Sequence, residues 1–169
     1  MVAKIFRVIN ELVDSKIIDT YAIGGAVAAM FYTEPVVTYD LDVFIPVAVQ
    51  QSGLVSITPI WEHLGQLGYH PKGEFVEIEG WSVQFLPIPD PLVEEAVQNA
   101  REMPIEGNEM ARVLSPEYLI AIALKTGRAK DFARIKTFKD LGIVDFDVVR
   151  DLIKRFGLQT QWQKYRALQ

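Results

Sequence analysis

The sequence predicts an α+β fold: a small mixed β-sheet with helices packed on it, followed by a mainly helical C-terminal part. Three observations carry this prediction. Short β-prone runs ending in glycine or proline alternate with amphipathic helical runs in the first half. Two alternating runs around Gly80-Trp81 read as a hairpin. From Leu92 onward the pattern turns predominantly helical, which divides the chain into a core at residues 1–91 and a helical part at 92–169 that completes a cleft.

The elements follow in order. Ile5, Phe6, Ile9, Leu12 and Val13 recur at helical spacing, with Lys4, Arg7, Asn10 and Glu11 between them. Thr20-Tyr21-Ala22-Ile23 is a short strand that runs into a tight turn at Gly24-Gly25. Alanine-rich residues 26–32 form a helix that Pro35 stops. Leu41-Asp42-Val43-Phe44-Ile45 reads as a strand closed by Pro46, and a helix is expected within residues 47–67 around Ile60 to Leu64. The hairpin pairs residues 75–79 with 82–86. Beyond it come a helix at 92–102 and a short strand at 110–114. Ser115-Pro116 is a capped start for a helix expected to run to about Phe138. Gly142 interrupts the pattern, and two helices around Gly157 close the chain.

Composition narrows the function classes. The chain of 169 residues is half hydrophobic, enough for one domain or one compact core with a small appendage. It has no cysteine, which excludes disulfides and thiolate metal sites and fits a reducing cytoplasm. With 22 acidic and 17 basic residues the net charge is −5, which argues against a non-specific nucleic-acid coat but leaves room for a local basic groove. His63 and His70 read as ordinary surface or boundary residues, with no third ligand at a zinc spacing. The longest apolar stretches, such as residues 118–124, fall far short of the ~20 residues a membrane helix needs. Met1-Val2-Ala3-Lys4 leads straight into the amphipathic pattern, so no signal peptide and a soluble cytoplasmic protein without a membrane partner are expected.

Asp40 and Asp42 stand two apart on a strand, so their side chains share a face about 7 Å apart along it. Such a pair can hold a hard cation, or it can be a solvated strand end. The apolar run after Asp42 places the carboxylates at the mouth of a buried strand, where unpartnered charge is costly. Gly24-Gly25 joins a strand to a helix and can bring backbone close to phosphates, or can be a plain tight turn. Lys125, Arg128 and Asp131 are three apart. On one helix they would span roughly a third of the circumference and face one cleft, or belong to a salt-bridged surface.

Ile23-Gly24-Gly25-Ala26 followed by Thr38-Tyr39-Asp40-Leu41-Asp42-Val43-Phe44 resembles the signature of the nucleotidyltransferase superfamily, the DNA polymerase β-like fold. The branch it is most similar to is that of AbiEii-type toxins and minimal nucleotidyltransferases. Glu117-Tyr118-Leu119, Lys125, Arg128, Lys130 and Asp131 resemble that branch's lysine helix and its Arg-x-Lys-Asp element, so the likeness covers roughly residues 20–135. The resemblance implies Mg²⁺-dependent transfer of a nucleoside monophosphate from a nucleoside triphosphate to an acceptor hydroxyl on RNA or protein, with an antitoxin as a further partner. Asp40 and Asp42 would hold the metal. Gly24, Gly25 and Thr38 would contact the nucleotide, Lys125 and Arg128 would neutralise phosphate charge, and Asp131 would orient Lys125 or the acceptor.

One position departs from the pattern. The family's third carboxylate falls on the strand after the hairpin turn, where this chain has Gln84, and an amide cannot act as a base. Glu77 or Glu79 would substitute if the register differs. Three readings stay open: an active transferase, a degenerate member that binds nucleotide or a partner without turnover, and an unrelated α/β protein. A haloacid-dehalogenase-type phosphatase is the obvious unrelated rival. It normally has Gly-Thr soon after its Asp-x-Asp, and Val43-Phe44 does not fit that.

Overall fold

The structure, a computed structural model, describes residues 2–35, 37–47 and 56–168. Within them the order is α1 (Val2–Asp14), β1 (Ala22–Ile23), α2 (Gly25–Met30), β2 (Asp40–Ile45), α3 (Thr58–Gln66), β3 (Pro71–Lys72), β4 (Phe75–Ile78) and β5 (Trp81–Pro87), then α4 (Pro91–Gln98), β6 (Arg101–Pro104), β7 (Met110–Val113), α5 (Pro116–Thr126), α6 (Ala129–Leu141), α7 (Phe146–Arg155) and α8 (Gln159–Ala167). Of the helix expected within residues 47–67, α3 is the observed part; residues 48–55 lie outside the described residues.

The strands form one mixed sheet in the order β3-β4-β5-β2-β1-β7-β6. β2 is central, parallel to β5 and antiparallel to β1. β1 in turn runs parallel to β7. This α+β arrangement, with helices packed on a mixed sheet and a helical C-terminal region, is the one the sequence predicts. The period of two along β2 does the sorting. Leu41, Val43 and Ile45 are fully buried in the core, and Asp40, Asp42 and Phe44 point to the other face. Burying each of the three aliphatics contributes about 1.5–3 kcal/mol. Along β5, Val83 and Phe85 join the buried face, leaving Ser82, Gln84 and Leu86 beside the carboxylates.

Three features differ from the sequence reading. β3 and β6 add an edge strand at either end of the sheet. The single helix expected from residue 115 to about 138 is two helices, α5 and α6. Gly127 causes the break: it takes a left-handed conformation (φ +69°) and its N–H donates to the Ala123 carbonyl, ending α5. Arg128 is extended, and the Asp131 carboxylate accepts its backbone N–H at 3.2 Å, giving α6 its own start. α5 is buried on nearly all sides, between α2, α4, α6, α7 and α8, so α6 is free to present a different face. No described helix is long and apolar enough to cross a membrane.

Candidate active site

The outer face of β2 opens into a cleft of about 360 Å³. Asp40 and Asp42 line it from β2, Gly25 and Ala26 from α2, and Ser82 and Gln84 from β5. Arg128, Lys130 and Arg134 line it from the start of α6. Residues far apart in the chain thus set two carboxylates opposite three cations.

Asp42 is seated tightly. The Gly24 N–H donates to the Asp42 carbonyl at 3.0 Å, which holds the glycine turn against β2. Gly25 has φ +61°, and a Cβ added there would collide with Asp42 Oδ2. A side chain at Gly24 would strike the Phe44 ring. Both glycines are therefore required by space, and Gly25 also by its backbone conformation. Burial raises the Asp42 carboxyl above its ordinary pKa and the neighbouring Asp40 raises it further, while Lys130, Arg128 and Arg134 oppose the rise. Thr38 lines the cleft, and its hydroxyl accepts the Asp40 N–H at 3.3 Å.

Two adjacent carboxylates on one face are a donor set for a hard cation such as magnesium, which takes one or two carboxylates and fills the rest of its shell with phosphate oxygens and water. No group of three or more His, Cys, Asp or Glu side chains among the described residues is placed to hold a metal ion. The pair therefore fits a metal that arrives with a phosphate ligand better than a closed protein cage. In the β2–β5 register Gln84 lies directly beside Asp42. Neither Glu77 nor Glu79 lines the cleft: Glu77 is ion-paired with Lys72 at 2.8 Å, and Glu79 is ion-paired with Lys4 and accepts a hydrogen bond from the Tyr69 hydroxyl.

The helix break separates the residues expected on one face. Lys125, on α5, is absent from the cleft lining and pairs with Asp90 at 2.8 Å, the residue that caps α4. Burial pushes the Asp90 carboxyl up, but the bonds from Lys125, Val93 and Leu92 win and hold it below its ordinary value. Asp131 is 1% exposed and accepts from Arg128 Nε at 2.7 Å and from its second nitrogen at 3.1 Å, so it orients Arg128 rather than Lys125. Despite burial, these bonds keep the Asp131 carboxyl below its ordinary value. Arg134 sits 3.9 Å from Asp131, and its own desolvation lowers its pKa. A second hollow of about 270 Å³ adjoins the cleft and is walled by Asp131, Arg128, Arg134 and apolar residues of α5.

Glu74, Phe75 and Ser82 also line the cleft and were not singled out from the sequence. Ser82 was recoverable from strand register, because it pairs with Asp40. Glu74 sits in the turn between β3 and β4, and no local pattern marks it.

No protein-family model and no curated protein matches the chain by sequence. Solved structures do match its fold. The solution structure of the antibiotic-resistance factor ANT(2'')-Ia aligns over 98% of this chain and 94% of its own, at 18% identity and a TM-score of 0.54. An antigenic nucleotidyltransferase-like protein from Paracoccidioides brasiliensis aligns over 98% and 85%, at 14% identity and a TM-score of 0.57. ANT(2'')-Ia in complex with adenylyl-2''-tobramycin aligns over 98% and 97%, at 15% identity and a TM-score of 0.51. The chain therefore has the nucleotidyltransferase, DNA polymerase β-like fold. The likenesses reach that fold at large and do not single out the AbiEii-type branch.

Proposed function

We propose that the protein binds a nucleoside triphosphate with Mg²⁺ in this cleft and transfers its nucleoside monophosphate to an acceptor hydroxyl. The observation that supports this most is the opposition of Asp40 and Asp42 to Arg128, Lys130 and Arg134 across one cleft. Phosphoryl chemistry needs positioning and charge neutralisation more than covalent help, and the cleft offers both. Asp40 and Asp42 would hold the magnesium, which would supply charge neutralisation at the phosphates. Gly24 and Gly25 let backbone approach the phosphates, and Thr38 steadies the strand mouth at Asp40. Lys130 and Arg134 take the phosphate-neutralising role first expected of Lys125, with Arg128 held in place by Asp131.

The acceptor class follows two leads. The resemblance to AbiEii-type toxins favours RNA or protein, with an antitoxin as partner, in the cytoplasm. One fold relative is seen with an adenylylated aminoglycoside, which favours a small polyhydroxyl acceptor. The test is a titration of each NTP with and without Mg²⁺, followed by pyrophosphate release in the presence of mixed oligoribonucleotides or tobramycin. Mg²⁺-dependent binding with release supports the transferase, and the acceptor that stimulates release names its class. Binding without release favours a second reading, a nucleotide-binding member without turnover, for which Gln84 beside Asp42 is the supporting observation. Absence of NTP binding sinks both.

A further inference from the structure

The cleft contains a third carboxylate that arrives by a different route from the one the strand pattern leads one to expect. Glu74, in the turn between β3 and β4, lines the same cavity as Asp40 and Asp42. Its Oε2 lies 3.5 Å from Gln84 Nε2, and Gln84 is the register partner of Asp42 on the adjoining strand. The amide thus stands between the metal-binding strand and a carboxylate. It cannot accept a proton at neutral pH, but it can donate a hydrogen bond that aims a group which does.

Two other acids near the cleft are otherwise engaged: Glu77 with Lys72 and Asp131 with Arg128. Glu74 is exposed to the cleft and forms no ion pair within 4.0 Å among the described residues, so its oxygens are open to a substrate. The cations of the cleft all come from α6, whereas Glu74 comes from the hairpin. A triphosphate is drawn to the cations and repelled by a carboxylate, and the acceptor hydroxyl has no such penalty beside Glu74.

Building on the nucleotidyltransferase reading, we propose that Glu74 is the proton acceptor for the incoming hydroxyl, with Gln84 as its positioning residue. The acceptor O–H gives its proton to a Glu74 carboxylate oxygen, and the acceptor oxygen forms a bond to the α-phosphorus. The bond from that phosphorus to the oxygen bridging to the β-phosphorus breaks, and its electron pair leaves with pyrophosphate. A carboxylate lost from β5 is in this way replaced from a turn.

The experiment measures pyrophosphate release from Mg·ATP, with mixed oligoribonucleotide or water as acceptor, for the wild type, Glu74→Gln and the double variant Glu74→Gln/Gln84→Glu. A positioned base contributes about 100-fold or more, so Glu74→Gln should lower kcat by about that factor with KM for ATP within about twofold. Returning the carboxylate to β5 in the double variant should recover about tenfold over the single variant. Thermal melting of the wild type and Glu74→Gln should coincide, since Glu74 lies in an exposed turn. A wild-type kcat in Glu74→Gln, a loss confined to KM, or no recovery in the double variant overturns the proposal. So does a wild type that binds Mg·ATP without releasing pyrophosphate. Failure of the underlying reading is distinct, because the wild type itself then releases no pyrophosphate, whereas failure of the Glu74 assignment alone shows only in the variants.

Discussion

On one face of β2, Leu41, Val43 and Ile45 are sealed in the core. On the other, one residue out of step, Asp40 and Asp42 face water and three cations. The first face lowers the free energy of the fold. The second raises it, since Asp42 is partly desolvated beside a like charge. A strand that had only to be stable would not carry that second face. The proposed nucleotide site would account for that cost, and the two faces should then respond oppositely to mutation.

The sharpest division comes from Asp42→Ala set against Ile45→Ala. Asp42→Ala should abolish Mg²⁺-dependent nucleotide binding and lower pyrophosphate release by about 1,000-fold, with the melting temperature unchanged or raised. Ile45→Ala should cost about 2–5 kcal/mol in a urea melt and leave nucleotide affinity intact below the transition. Equal effects of the two variants on stability would break the comparison.

A smaller effect lies at the start of α6, where stability and function meet in one pair. Asp131→Asn should cost about 1–3 kcal/mol, since the amide no longer offers a charged acceptor to Arg128. The pH dependence carries a definite sign. The folded Asp131 carboxyl sits below its ordinary value near ~4, so in that range the folded state binds fewer protons than the unfolded one. Its stabilisation is complete above the ordinary value and is lost as pH falls through the depressed one. Thermal melts from neutral pH down to about pH 3 should show the wild type losing its advantage over Asp131→Asn.

The smallest effect sharpens the position of Lys125. Its partner Asp90 is mostly buried but the lysine is half exposed, so Lys125→Met should cost about 1 kcal/mol or less in a denaturant melt. Nucleotide affinity should hold within about twofold, because Lys125 does not line the cleft. A tenfold loss of affinity would return Lys125 to the site.

What could be read from the sequence was what is local. The Asp-x-Asp strand, the glycine pair and the hairpin each announce themselves within a few residues, through alternation and turn chemistry. The two carboxylates and the amide at Gln84 followed from that. The break at Gly127 did not, because apolar residues on both sides keep a helical rhythm and only the left-handed glycine, with Asp131 capping the next turn, divides them. That one turn moved Lys125 to Asp90, a partner distant in the chain that no spacing rule reveals. β6 escaped notice because Arg101–Pro104 is an outer strand of mostly exposed side chains with no alternation to detect.

The position of β1 bears on how the chain comes off the ribosome. β1 has β2 on one edge and β7 on the other, and the Ile23 carbonyl takes its bond from the Leu114 N–H. Synthesis proceeds N-terminus first, so β1 and β2 are made long before β7 exists. Until then the nascent sheet has an open edge in its middle, the kind of edge that recruits other strands. The cations of α6 emerge later still. A ribosome-bound intermediate therefore carries its two carboxylates without the α6 cations that share their cleft in the finished protein.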